Sequence, residues 1–220
     1  MSWVSNPACV CLAVPMSIRF SRGRMSGGRL AVALLALLLA WPAAAKPKPV
    51  PAASGCAPEL RLLAPKKDAA ALKRLEFIRA RLPAEYRKRN NFAWAVAKID
   101  GLDKVEYFAH SGIQDLEGLS AAARKKIAEI SLKPDSARTR FKTLCVDQNN
   151  QVGTANGWQR NVDTEYKILE DMAARLPDTS AAGRMRLYSE LAPCASCWGV
   201  MQQFLAVYTN VQMQVLYRKK

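Results

Sequence analysis

Two short motifs, each directly before a stretch with helical periodicity, constrain the fold more than any other feature of this sequence. The first is Asp-Thr-Glu at 163–165, and the second is Pro-Cys-Ala-Ser-Cys at 193–197. Apolar residues follow each motif at intervals of three and four, which is the spacing of one buried helix face. The fold must therefore pack two helices into its core with carboxylates and thiols at their N-termini.

The second motif is a C-x-x-C pair at a predicted helix start. Pro193 suits the first helical position, and the positive end of the helix dipole favours the thiolate form that binds a metal. The same spacing occurs in redox pairs and in structural disulfides. Taken alone, Cys194 and Cys197 leave zinc binding, redox chemistry and a disulfide open.

The first motif favours zinc binding over the other two alternatives. Glu165 is aligned with the apolar stripe of its own helix, so its carboxyl group must meet a partner or a cavity. In a hydrolytic zinc site this position suits a general acid/base. Zinc-dependent base deaminases carry H-x-E followed by P-C-x-x-C. This chain has the same spacing, with Asp163 where the histidine is expected.

The third zinc ligand has two candidates. Asp163 is either a helix N-cap or a carboxylate ligand, since both roles are common for aspartate. His110, the single histidine of the chain, ends a predicted strand before a Ser-Gly turn. It is predicted to contact the substrate, or else to supply the nitrogen ligand while Asp163 caps the helix. On spacing, we predict Asp163, Cys194 and Cys197 as ligands, with Glu165 catalytic.

Further elements follow from periodicity and turn signals. A helix is predicted within 68–90, and strands at 92–99, 105–110, 140–146, 184–190 and 211–217. The strand–helix–strand–helix–strand order of the second half argues for an α/β sheet. The polar segment 147–161, which lies between the predicted strand at 140–146 and the first motif, is a candidate substrate gate. In it, Trp158 and Arg160 are candidates to stack on or grip a nucleotide, although packing on the domain is the more common role of a residue such as Trp158.

The runs 163–170 and 187–197, together with 107–113, resemble the deaminase domains of bacterial polymorphic toxins, within the cytidine deaminase-like zinc superfamily. The resemblance covers about residues 70–217. It implies an α/β fold, a cytidine deaminase-like three-layer α/β/α sandwich with a mixed central sheet. It also implies that Glu165 shuttles a proton while Zn²⁺ on Asp163, Cys194 and Cys197 activates a water. The implied substrate is a nucleobase amine, with cytosine preferred, and the implied protein partner is an immunity protein.

The N-terminal residues carry a targeting pattern. Four arginines precede an apolar run at 30–41, and small residues follow at 43–45. This pattern predicts a signal peptide at 1–45 and hence a secreted protein. The apolar run is too short for a confident membrane span, so no stable membrane anchor is expected. Residues 46–65 are rich in Pro, Ala and Lys and are predicted as a linker, which leaves 66–220 as the deaminase domain.

Net charge bears on the substrate. Without residues 1–45 the chain keeps 29 basic and 18 acidic residues, a net charge of about +11. Clustered basic residues suit phosphate backbones, which favours a nucleic acid or nucleotide over an uncharged metabolite.

Two rival functions stay open. One is an exported thiol-redox protein that uses Cys194 and Cys197, and the other is a noncatalytic basic module whose zinc only stabilises the fold. A disulfide between Cys194 and Cys197 would abolish a zinc site in an oxidising compartment. Zinc must therefore load before export, or the enzyme must work in a reducing compartment that it enters later.

Overall fold

The structure is a computed structural model, and it describes residues 57–218. The predicted signal peptide and most of the predicted linker lie outside the described residues. The strands are β1 (Glu59–Leu62), β2 (Phe92–Ile99), β3 (Glu106–His110), β4 (Cys145–Val146), β5 (Trp158–Gln159), β6 (Gly183–Ser189) and β7 (Val211–Tyr217). The helices are α1 (Ala69–Arg79), α2 (Ala121–Lys126), α3 (Thr164–Arg175) and α4 (Ala195–Val207).

Five strands form a mixed sheet in the order β1-β7-β6-β2-β3, while β4 and β5 form a separate two-stranded hairpin. β7 runs parallel to β1 and β6, whereas β2 is antiparallel to β6 and β3. The chain passes from β6 through α4 to its parallel neighbour β7. The start of α4 therefore lies at the C-terminal end of β6.

Helices cover the two faces of the sheet. The larger core cluster joins α3 and α4 to residues such as Ala95, Leu187 and Val215. The smaller cluster packs α1 against Trp94, Tyr188 and other residues of the opposite face. Burial on both faces explains why β2 reads as an almost continuous apolar run rather than an alternating one. The predicted three-layer α/β/α sandwich with a mixed central sheet is confirmed.

Two elements differ from the sequence prediction. β1 lies within the range predicted as linker, and it pairs with β7 through Leu60 and Val215. The predicted strand at 140–146 is reduced to Cys145–Val146, because the backbone N–H groups of Arg140 and Phe141 donate to the Glu170 carboxylate instead of a neighbouring strand. Within residues 57–218, no helix has both the length and the apolar character that a membrane crossing requires.

Candidate metal centre and active site

Glu165 lies at the start of α3 with its carboxylate inside the protein. Its side chain is only 2% exposed. Thr164 Oγ1 donates to Oε2 over 2.8 Å, and Ser189 Oγ donates to Oε1 over 2.9 Å. Burial, with the nearby Asp163 carboxylate, raises the pKa of Glu165 above its usual range. Both oxygens are fixed by these hydrogen bonds, as a predicted acid/base requires.

Asp163 occupies the N-cap position of α3, but its side chain makes no capping hydrogen bond. Instead, Oδ2 lies 3.3 Å from Cys194 Sγ and 3.2 Å from Cys197 Sγ. Asp163 is thus at the N-cap position by its backbone, but its carboxylate does not act as a cap. The carboxylate faces the thiols.

The two thiols come from the first turn of α4. Cys194 is the N-cap and accepts a hydrogen bond from the backbone N–H of Cys197. The sulfurs are 3.1 Å apart and both cysteines are free. The hydrogen bond that the sulfurs share lowers the pKa of Cys194, whereas the same bond together with burial raises that of Cys197.

These three side chains fit a zinc ion. One oxygen of Asp163 and the sulfurs of Cys194 and Cys197 all lie within 4.8 Å of one another. Two thiolates and a carboxylate are accepted zinc ligands, and three protein ligands are the number found in catalytic rather than structural zinc sites. Glu165 Oε2 lies 3.6 Å from Cys197 Sγ, which places the acid/base beside this group.

The β4–β5 hairpin holds both halves of the site. Asn150 in its loop accepts a hydrogen bond of 2.7 Å from the backbone N–H of Ala195 in α4. Directly after β5, the Arg160 guanidinium lies 4.0 Å from Asp163 Oδ1 and donates to the carbonyl oxygen of Asp147. The segment predicted as a substrate gate is therefore attached to the start of each motif helix.

The model of the Toxin-deaminase family, described as the BURPS668_1122 family of deaminases, matches residues 75–219. The chain belongs to the Toxin-deaminase family. The matched range contains both motifs, the hairpin and all of the central sheet except β1. No curated protein and no solved structure gives a significant match. Membership in Toxin-deaminase confirms the resemblance drawn from the two motifs and makes the chain a member of a deaminase family.

His110 takes no part in the Asp163–cysteine group of this Toxin-deaminase member. It is fully buried at the end of β3, with Nε2 bonded to the Arg89 carbonyl oxygen and Nδ1 accepting from the Gly112 N–H. Burial lowers its pKa and so favours neutral imidazole. Of the two candidates for the third ligand, the structure brings Asp163 to the thiols. A contact between His110 and substrate stays a prediction, and it requires one of these hydrogen bonds to break.

Trp158 and Arg160 form a stacked pair on the hairpin. The Arg160 guanidinium carbon lies 4.0 Å from the centre of the Trp158 ring, and 39% of Trp158 is exposed. An exposed aromatic ring supported from one side is a suitable surface for a nucleobase. The exposed Trp158 ring is accessible to a base, and the substrate contacts of Trp158 and Arg160 stay predictions.

Sequence reasoning missed the residues that orient Glu165. Asn91, just before β2, donates through Nδ2 to Thr164 Oγ1 and to Ser189 Oγ. Its Oδ1 accepts from the backbone N–H of Leu191, between β6 and the cysteines. These polar residues come from three distant parts of the chain and carry no motif spacing, so only their position at one end of β2 and β6 reveals them.

Proposed function

We propose that this protein is a zinc-dependent hydrolytic deaminase that removes the exocyclic amine of a nucleobase in nucleic acid or a nucleotide. The observation that carries the proposal is the placement of the buried Glu165 carboxylate next to Asp163, Cys194 and Cys197. The Asp163 carboxylate and the two thiols are a donor set for zinc, and Glu165 is held beside them with a raised pKa. Membership in a deaminase family supports the reaction type.

The residues divide the chemistry between ligation and proton transfer. When bound, zinc supplies Lewis-acid activation of a water molecule. With zinc bound, Glu165 would accept a proton from the attacking water and return a proton to the departing nitrogen, so that water and the amine would give a carbonyl product and ammonia. Thr164 and Ser189 hold its two oxygens, which fixes the carboxyl group beside the proposed zinc ligands.

The substrate class rests on charge and on the exposed ring. Without residues 1–45 the chain has a net charge of about +11, which favours the binding of a polyanionic substrate. The stacked Trp158 offers a surface for a base. Cytosine is the base that the superfamily resemblance supports.

The biological setting is part of the proposal. We place the protein among toxins because the matching family is named Toxin-deaminase, and among bacterial ones because of the motif resemblance. Export through the predicted signal peptide, action inside a target cell and neutralisation by an immunity protein complete the proposal. A reducing target cytoplasm also suits the free thiols, which must stay reduced to bind metal.

The test is ammonia release from zinc-loaded residues 46–220 offered single-stranded DNA, duplex DNA, RNA and free nucleosides in parallel. Sequencing of the treated nucleic acids identifies the altered base. The matched control is Glu165→Gln, which keeps the size of the side chain and removes its acid/base function. Turnover by the wild type alone supports the deaminase and names its substrate. A metal-free protein with a reversible Cys194–Cys197 disulfide would instead support the redox alternative.

A further inference from the structure

The proposed ligand set carries one more negative charge than the set with histidine. Two thiolates and a neutral imidazole balance the two positive charges of zinc. Two thiolates and the Asp163 carboxylate leave one negative charge in excess. An uncompensated charge in a largely buried site is costly, because solvent screens it poorly there. The chain must supply a cation if this site is to be neutral.

Arg160 stands where that cation is needed. Its Nη1 lies 4.0 Å from Asp163 Oδ1, while Oδ2 of the same carboxylate faces both sulfurs. Within residues 57–218 this is the one ion pair found for Asp163. The guanidinium is thus paired with Oδ1, while the contacts to the sulfurs are made by the other oxygen of the same carboxylate.

The surroundings of Arg160 hold the guanidinium in this position. Its side chain is only 17% exposed, its Nη2 donates to the Asp147 carbonyl oxygen, and its Cζ lies 4.0 Å from the centre of the Trp158 ring. The buried Nε finds no hydrogen-bond partner in the part of the chain that the structure describes. The Asp147 carbonyl oxygen and the Trp158 ring therefore fix the guanidinium beside the Asp163 carboxylate.

We propose that Arg160 is a positioning residue that compensates the charge of Asp163 and leaves one carboxylate oxygen directed at the thiols. The inference rests on the proposed zinc site. It accounts for an aspartate at the position of the usual histidine, since the Asp163–Arg160 pair together has the net charge of one neutral imidazole. In zinc sites the groups that orient a ligand typically change metal affinity by about 10–100-fold when removed.

The first experiment measures zinc affinity by competition with a chromogenic chelator. Arg160→Gln is expected to weaken zinc binding by about 10–100-fold, whereas Arg160→Lys keeps the charge and most of the affinity. The matched control is Arg184→Gln, which removes an exposed arginine on β6 away from the site. Equal weakening by the Gln and Lys variants would overturn the proposal, as would no weakening by Arg160→Gln.

A double-mutant cycle separates charge compensation from a general loss of hairpin structure. Arg160→Gln is introduced into the wild type and into Asp163→His. Loosening of the hairpin lowers zinc affinity in both backgrounds equally. Charge compensation predicts that Arg160→Gln lowers zinc affinity at least about tenfold more in the wild type than in Asp163→His, because a neutral imidazole ligand needs no counter-charge. Equal losses of zinc affinity in the two backgrounds would contradict charge compensation. If Asp163→His binds no zinc, the comparison of Arg160→Gln with Arg160→Lys tests the proposal instead.

Zinc affinity is read without any turnover, which distinguishes this inference from the deaminase proposal. Tight zinc binding that depends on the charge of Arg160 supports the inference even if no substrate is deaminated. If the protein deaminates a substrate and its zinc affinity does not depend on Arg160, the proposed function holds and the inference about Arg160 is wrong.

Discussion

The Ser189 hydroxyl, on the last residue of β6, donates a 2.9 Å hydrogen bond to Oε1 of Glu165 at the start of α3. Asn91 in turn donates to Ser189 and to Thr164, the residue that bonds the other carboxylate oxygen. The acid/base is thereby tied to the central sheet rather than to its own helix alone. Because the proposed zinc ligands are other residues, orientation of Glu165 and metal binding should be separable by mutation.

Ser189→Ala should lower turnover without lowering zinc affinity. Loss of one of the hydrogen bonds that fix Glu165 lets its carboxyl rotate, and misplacement by about 1 Å can cost up to about 100-fold in rate. We expect a fall of about 10–100-fold in kcat, measured as ammonia release at saturating substrate. The control is Ser180→Ala, an exposed serine in the turn before β6. Unchanged kcat in Ser189→Ala would show that the hydrogen bond does not position the acid/base.

At equal zinc occupancy, Trp158→Ala should weaken the binding of an oligonucleotide more than the binding of a free nucleoside. Stacking of one base on an aromatic ring contributes about 1–3 kcal/mol, so KM for the oligonucleotide should rise by about 5–150-fold. Trp158→Phe retains a ring and should keep most of the affinity. Equal effects on oligonucleotide and nucleoside would mean that Trp158 supports the hairpin rather than a flanking base.

Lys167→Met should destabilise the fold at the end of β3. The buried ammonium donates to the carbonyl oxygens of His110 and Ile113, over 2.9 and 2.6 Å. Burial lowers the pKa of Lys167 to about 7, so part of the loss of these bonds is offset by removal of a poorly solvated charge. We expect a net loss of about 1–3 kcal/mol in the free energy of unfolding, measured in urea. A more stable variant would show that the desolvation cost outweighs the two hydrogen bonds.

The Arg61–Asp68 pair should make the attachment of β1 sensitive to acid. Arg61 donates two hydrogen bonds of 2.8 Å to Asp68, and this contact lowers the pKa of the carboxyl to about 2. Its stabilising contribution is therefore complete above the unfolded pKa of about 3.9 and is lost as the pH falls toward 2.

Asp68→Asn should cost about 1–2 kcal/mol at pH 7, and the difference from wild type should shrink as the pH falls from about 4 toward 2. Urea unfolding across this range measures it, with Asp103→Asn as the exposed control. A difference that is constant with pH would mean that the carboxylate charge does not hold β1.

Part of this site was predictable from the spacing of residues along the chain. Glu165, Cys194 and Cys197 stand out because each begins a helix whose apolar stripe is readable from residue spacing. Ser189 and Asn91 could not be found in this way, since their roles depend on which ends of β2 and β6 meet. β1 escaped prediction because it is a short edge strand with mostly exposed residues, which pairs on only one side. The His110 environment likewise depends on Arg89, which no motif connects to it.

The most direct test of the account is ammonia release measured against zinc occupancy, starting from metal-free protein. The account predicts that turnover rises in proportion to bound zinc and stops rising at about one equivalent per chain, the stoichiometry of a single catalytic site. Cys197→Ser should bind zinc weakly and show little turnover at the same added zinc. Full turnover in the chelated protein, or no turnover of any of the four substrate classes at one bound equivalent, would contradict the account.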